Sequence, residues 1–209
     1  LKRVLWYIMV FLAIGIAGYA VVQYLFIGAN KAGFMDMKKD EILPRIWYLA
    51  LYLHVIGGSI SLGFGPFIFL EKTRIRRISL HRQLGKFYLL GILLGGLSGL
   101  YMAFYATGSW VSKTGFGMLA VFWLVTGIMA YSSIRRKEIE QHQNWMIRNY
   151  ALTLGAVALR IWMPIFLMFF GRENFDTSYL VIAWISWVPN LVIAELVIGW
   201  NKQKFSGFV

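Results

Sequence analysis

Residues 87–110 read FYLLGILLGGLSGLYMAFYATGSW, with no charged side chain anywhere in the run. An α-helix needs about 20 predominantly apolar residues to cross the hydrocarbon core of a bilayer, so this stretch alone predicts a membrane span. On either side of it, five more such runs stand between charged clusters, at about 4–27, 46–70, 115–134, 149–171 and 178–200. None alternates apolar and polar residues over ten positions, as the strands of a membrane barrel must. The composition agrees. Of 209 residues, 59% are apolar and 14% charged, with a mean hydropathy of +0.63; water-soluble domains have roughly half and a quarter. The predicted fold is an all-α, polytopic transmembrane helical bundle of six spans, a single integral membrane domain over 1–209. The first run follows Lys2 and Arg3 but is too long for the apolar core of a signal peptide, so it is read as a helix.

The 21 Lys and Arg outnumber the 9 Asp and Glu, and their placement explains the excess. Lys2 and Arg3, then Lys72, Arg74, Arg76, Arg77, Arg82 and Lys86, then Arg135, Arg136, Lys137 and Arg148, then Lys202 and Lys204 fall on one side of six alternating spans. The other side has only Lys31, Lys38, Lys39, Arg45, Lys113 and Arg172, with Asp36, Asp40 and Glu41 among them and Pro44 at the start of the second span. Basic loops are held on the cytoplasmic side, so both termini are expected to be cytoplasmic. The net charge of +12 is then a topology signal, with attraction to anionic lipids at the cytoplasmic face as a second effect. It does not point to nucleic acid. The absence of cysteine excludes disulfides, thiolate metal sites, thiol catalysis and covalent c-type haem attachment.

Helices in lipid approach one another through small residues. Gly91, Gly95 and Gly99 recur every fourth position in the third span, with Gly96 and Ser98 alongside, and predict a packing seam. In the second span His54, Gly58, Ser61 and Gly65 share one face, which turns His54 into the bundle. Ala151 and Gly155 offer a similar face in the fifth span. Such glycine seams also suit a membrane-protein partner or a homo-oligomer. Pro66, Pro164 and Pro189 mark points of helix distortion, and Trp47, Trp110, Trp145 and Trp200 fall near predicted span ends, as an interfacial belt requires.

Arg160 is the residue most in need of an explanation. It stands at the middle of the fifth span, where insertion of an arginine costs at least about 2.5–3.5 kcal/mol. A buried polar site is therefore expected around it, with His54, Asn190, Glu195 or an anionic ligand as its partner. Glu195 lies about 9 Å away in depth at 1.5 Å per residue, so a direct pair needs both side chains to stretch. The same site, centred on Arg160 and His54, suits a small-solute carrier.

Two of the three histidines are placed alike. His81 precedes the third span by six residues and His142 precedes the fifth by seven, so helices extended past the bilayer bring both rings to one level near the cytoplasmic face. Two imidazoles from different helices can serve as both axial ligands of a b-type haem, with Arg82, Arg148 or Arg77 receiving its propionates. A hydrolytic zinc site wants three protein ligands and a water. His81 and His142 with Glu71, Glu138 or Glu140 supply the residue types but not a matching motif. Ser59 and Ser61 share a helix with His54, and no acidic residue is in reach to orient that imidazole, so no serine nucleophile is expected.

The stretches from His54 to Leu62 with Gly65, Pro66 and Phe67, from His81 to Tyr88, from Gly95 to Tyr101, and from His142 to Leu152 running on to Leu159 and Arg160 resemble a bacterial family of predicted membrane proteins catalogued as domain of unknown function 2306. The resemblance covers about residues 44–170 and implies a multi-pass protein of the bacterial cytoplasmic membrane, with no activity attached. A looser similarity in layout links the chain to b-type membrane cytochromes, although the outer leaflet has only His54. The leading functional expectation is a haem-binding electron-transfer protein ligated by His81 and His142. The alternatives are a non-enzymatic accessory or assembly subunit of a larger membrane complex, and a small-solute carrier.

Overall fold

The computed structural model describes residues 2–36, 38 and 43–206; Lys39, Asp40 and Glu41 of the charged segment lie outside them. No strand occurs among the described residues. The chain runs through α1 (Lys2–Val21), which continues as a π-helix (Val22–Gly28) and a 3-10 turn (Ala29–Lys31), then the short α2 (Gly33–Asp36). After these come α3 (Arg45–Ile68), α4 (Glu71–Arg76), α5 (Ile78–Ala103), α6 (Trp110–Arg135), α7 (Ile139–Thr153), α8 (Gly155–Phe170), a 3-10 turn (Arg172–Asn174), α9 (Phe175–Ile185) and α10 (Val188–Ser206). Six helical stretches are long and apolar enough to cross a membrane: Arg3–Lys31, Arg45–Ile68, Ile78–Ala103, Trp110–Arg135, Ile139–Phe170 and Arg172–Asn201.

The number of spans agrees with the sequence expectation, while several boundaries differ for identifiable reasons. The third helix ends at Ala103 and the fourth begins at Trp110. Between them Gly108 takes φ +93°, and the Ser109 hydroxyl caps the new helix by accepting from the Val111 N–H at 3.2 Å. Trp110 thus opens the fourth helix, where the hydropathy pattern had placed it at the end of the third. The third and fifth helices also begin well before their apolar runs, at Ile78 and Ile139. The fourth closes on a Schellman turn: the Glu138 N–H donates to Ser133 O at 3.0 Å and Lys137 N–H to Ile134 O at 3.1 Å, with Lys137 left-handed at φ 63°. The last span is interrupted at Ser186 and Trp187, because Pro189 has no N–H to offer the Ile185 carbonyl.

Among the described residues the most extensive helix contact is α3 with α5, and glycine makes its close approach possible. A Cβ on Gly57 would lie 2.5 Å from both Gly91 O and Gly95 N, and one on Gly91 would lie 2.5 Å from Ser61 Oγ. The residue that meets the α5 seam is thus Gly57; the predicted Gly58 has nothing within 4 Å of its Cβ position. Gly65 receives the ring of Tyr150, and Gly99 receives His54. The predicted seams are therefore filled from within the chain. Gly155 faces Ser186 O, so the breaks in the fifth and sixth spans meet. The apolar core gathers Ile68, Tyr88, Ile92, Trp123, Met146, Tyr150 and Leu152. Much of the first span stays on the periphery, with Phe11 of α1 and Phe26 of the π-helix exposed as lipid-facing side chains are. Trp110 and Trp200 are exposed, whereas Trp47 is buried in a cluster with Leu51 and Val55 and does not belong to an interfacial belt.

Candidate functional site

Three polar clusters lie within this apolar scaffold. The first ties α5, α6 and α7 together. Tyr88 Oη donates to Asn149 Oδ1 at 2.7 Å, and the Asn149 amide donates to Trp123 O at 2.7 Å and to Thr126 Oγ1 at 2.8 Å. Trp123 Nε1 donates to Thr153 Oγ1 at 2.8 Å, and that hydroxyl donates to Asn149 O at 2.9 Å. Asn149 and Tyr88 are fully buried. Every member has a partner, which is the condition under which a buried polar network rigidifies a core. Its geometry is that of a structural clasp. Sequence reasoning missed it; the available signal was Asn149 and Thr153, four residues apart on one face of a helix otherwise turned to the core.

The second cluster contains His81 and His142. Each is the fourth residue of its helix, α5 and α7 respectively, and His81 lies within electrostatic reach of His142, Arg74 and Arg82. His142 Nδ1 is 2.9 Å from Ala130 O. A carbonyl only accepts, so Nδ1 carries the proton and Nε2 keeps its lone pair. His81 Nδ1 is buried without a hydrogen-bond partner. Arg82 is exposed beside this pair. Arg148 departs from its expected role: its guanidinium makes a two-bond pair with Glu195 at 2.5 and 2.8 Å and lies 4.7 Å from the Trp145 ring centroid. Two of its five N–H donors are thus engaged by α10.

The third cluster surrounds Arg160. Its Nη1 donates to Ala156 O, one turn back on its own helix, at 3.0 Å. Tyr24 and Tyr19 of the first span act on its charge, and His54 lies within reach of the same charge. His54 Nδ1 is 2.8 Å from Gly95 O, so again Nδ1 carries the proton and Nε2 is left as an acceptor. His54 and Arg160 thus lie within electrostatic range of each other while each bonds a backbone carbonyl of its own, and the two other predicted members have partners elsewhere. Asn190 donates to Ala151 O and Ser186 O, both at 3.3 Å, stitching α10 to α7. Glu195 is held by Arg148, twelve residues before Arg160 in the chain, and so does not stretch to Arg160. Tyr24 and its neighbour Gln23 were not anticipated, because only the wide turns of the π-helix bring that part of the first span into play.

No group of three or more histidine, aspartate or glutamate side chains is gathered as a metal site among the described residues, so the hydrolytic zinc arrangement has no counterpart in them. The fold and these clusters define a polytopic helical membrane protein. The chain belongs to the family described as Predicted membrane protein (DUF2306), whose family model matches residues 51–198. That span runs from α3 into α10 and takes in His54, His81, His142 and Arg160, leaving α1 outside it. No curated protein and no solved structure matches the chain.

Proposed function

We propose that this chain is a redox protein of a bacterial cytoplasmic membrane, with both termini on the cytoplasmic side, in which His81 and His142 hold one b-type haem. An even number of crossings returns the chain to the face on which it began, and Arg74, Arg76, Arg77, Arg82, Arg135, Arg136 and Lys137 lie in connections on that face. The positive-inside rule then assigns that face to the cytoplasm.

The observation that carries the haem reading is the state of the two imidazoles. Metal-ligating histidines commonly donate one ring N–H to a backbone carbonyl, which fixes the other nitrogen as the ligand. His142 does this toward Ala130 O at 2.9 Å, and His81 has a buried ring nitrogen without a partner. Two imidazoles within electrostatic range of each other supply the residue types of a two-histidine ligand set, and Arg82 and Arg74 supply positive charge suited to propionates. Bound haem supplies a one-electron iron couple; the chain's part is to hold the ring at the membrane face and keep its two ligands at one depth.

The test is the visible spectrum of the detergent-purified protein, expressed with a haem precursor, before and after dithionite. A reducible absorption at b-type positions, one haem per chain, and its loss in both His81→Ala and His142→Ala are expected. A colourless protein, or pigment retained by both variants, would refute the assignment.

A further inference from the structure

We infer that Arg160, flanked by Tyr24 and His54, forms a separate intramembrane site that binds an organic carboxylate reaching it from the lipid phase. A guanidinium has five N–H donors and holds its charge at any accessible pH. Here one donor goes to Ala156 O, and the phenols Tyr24 and Tyr19 lie within electrostatic range of the charge. Among the described side chains, the carboxylates are committed or distant. Glu195 is held by Arg148 and Glu138 by Arg136, Glu71 opens α4 and Glu140 lies in the first turn of α7, Glu173 is in the 3-10 turn that follows α8, and Asp176 is in the first turn of α9. An arginine left with neutral neighbours at mid-membrane is costly, and an anion brought to it removes that cost.

A second observation points to the same place. The first span departs from α-geometry over Val22–Gly28, a rare arrangement that recurs at functional sites. Tyr24 is on this segment, and the adjacent Gln23 has its Nε2 buried without a hydrogen-bond partner. A cation with no carboxylate partner and two phenols in electrostatic range of it suit an oxyanion. The planar fork of the guanidinium matches a carboxylate with two parallel bonds. Access is lateral. The next residues of α8, Ile161 and Trp162, are exposed, as is Tyr19 on the first span, so the site borders the surface that faces acyl chains. The ligand that fits is an amphiphile with a carboxylate head and an apolar tail.

The experiment uses the full chain in nanodiscs of uncharged lipid and measures equilibrium binding of labelled oleate, of its methyl ester, and of acetate. Oleate is expected to bind and the ester to bind at least about tenfold more weakly, since hydrogen bonds to a charged group contribute about 1.5–3 kcal/mol. Arg160→Gln is expected to cause a loss of similar size, Arg160→Lys a smaller one, and Arg172→Gln none. Equal binding of oleate and ester overturns the site, and that comparison needs no variant, so it stands even where Arg160→Gln does not fold. Acetate binding as tightly as oleate assigns the site to a water-soluble acid and overturns the lipid route. None of these readouts depends on pigment, so the site stands or falls independently of the haem.

Discussion

Tyr88 and Asn149, sixty-one positions apart in the chain, meet hydroxyl to amide at 2.7 Å and fasten α5 to α7 at the centre of the bundle. The bond is one strand of a network that also engages Trp123, Thr126 and Thr153. Interhelical hydrogen bonds in membranes average only about 0.6 kcal/mol, but a buried polar group left without a partner costs about 1–3 kcal/mol. Tyr88→Phe, which orphans one acceptor, is therefore expected to cost about 1 kcal/mol. Asn149→Leu removes three of the network's bonds at once, those to Tyr88 Oη, Trp123 O and Thr126 Oγ1, and is expected to cost about 2–3 kcal/mol. Denaturant titration in mixed micelles measures both; equal effects for the two would mean that the network does not act as a unit.

The α3–α5 contact discriminates between adjacent glycines. At Gly57 an added methyl meets backbone at 2.5 Å, whereas at Gly58 it meets nothing within 4 Å. Overpacking costs about 1–3 kcal/mol, and replacing a helical glycine by alanine gains up to about 1 kcal/mol when space allows. Gly57→Ala should lower the detergent melting temperature and Gly58→Ala should leave it unchanged or raise it. The reverse order would show that the helices pack on the other face.

The ion pair of Arg148 with Glu195 has partly exposed side chains, at 22% and 50%. Screening at such exposure limits its contribution to about 0.5–1 kcal/mol. A double-mutant cycle with Arg148→Gln and Glu195→Gln is expected to return a coupling of that size; a coupling near zero would show that the pair adds nothing to stability.

The turn after α6 holds a lysine where glycine is the usual residue. Lys137 sits at φ 63°, a conformation that costs an L-residue roughly 1–2 kcal/mol. Lys137→Gly should therefore stabilise the protein by about 1 kcal/mol, read as slower amide exchange across 135–139. Beside it, the Arg136 fork holds the Glu138 carboxyl below the usual carboxylate range. Its contribution to this turn is complete above the unfolded carboxylate pKa and lost as the pH falls through the lowered folded value. Exchange here should quicken on acidification, and Glu138→Gln should abolish that dependence.

Six crossings could be read from the sequence because hydrocarbon leaves few choices: a run without charge long enough to span must be helical. The inward turn of His54, which meets Gly95 and Gly99 of α5, followed from spacing alone, since residues three and four apart share a helix face. Partner identity was harder. Arg160 and Arg148 are twelve positions apart on successive helices, and which of them Glu195 reaches depends on the depth at which α10 sits, a property of packing. The choice of Gly57 over Gly58 turns on about 100° of helix rotation, which periodicity with both residues glycine does not fix. Tyr24 was hidden for a different reason: its direction depends on wide turns that assume no regular period.

The Tyr88–Asn149 bond also has a history during synthesis. At about 5–20 residues per second, the ribosome delivers Asn149 roughly 3–12 seconds after Tyr88. For that interval the third span rests in the bilayer with an unmatched phenol, while its glycine groove against α3 can already close. The nascent bundle is thus assembled grease first and polar lock second, and a chaperone or insertase that lingers on the third span has a few seconds of exposed hydroxyl to recognise.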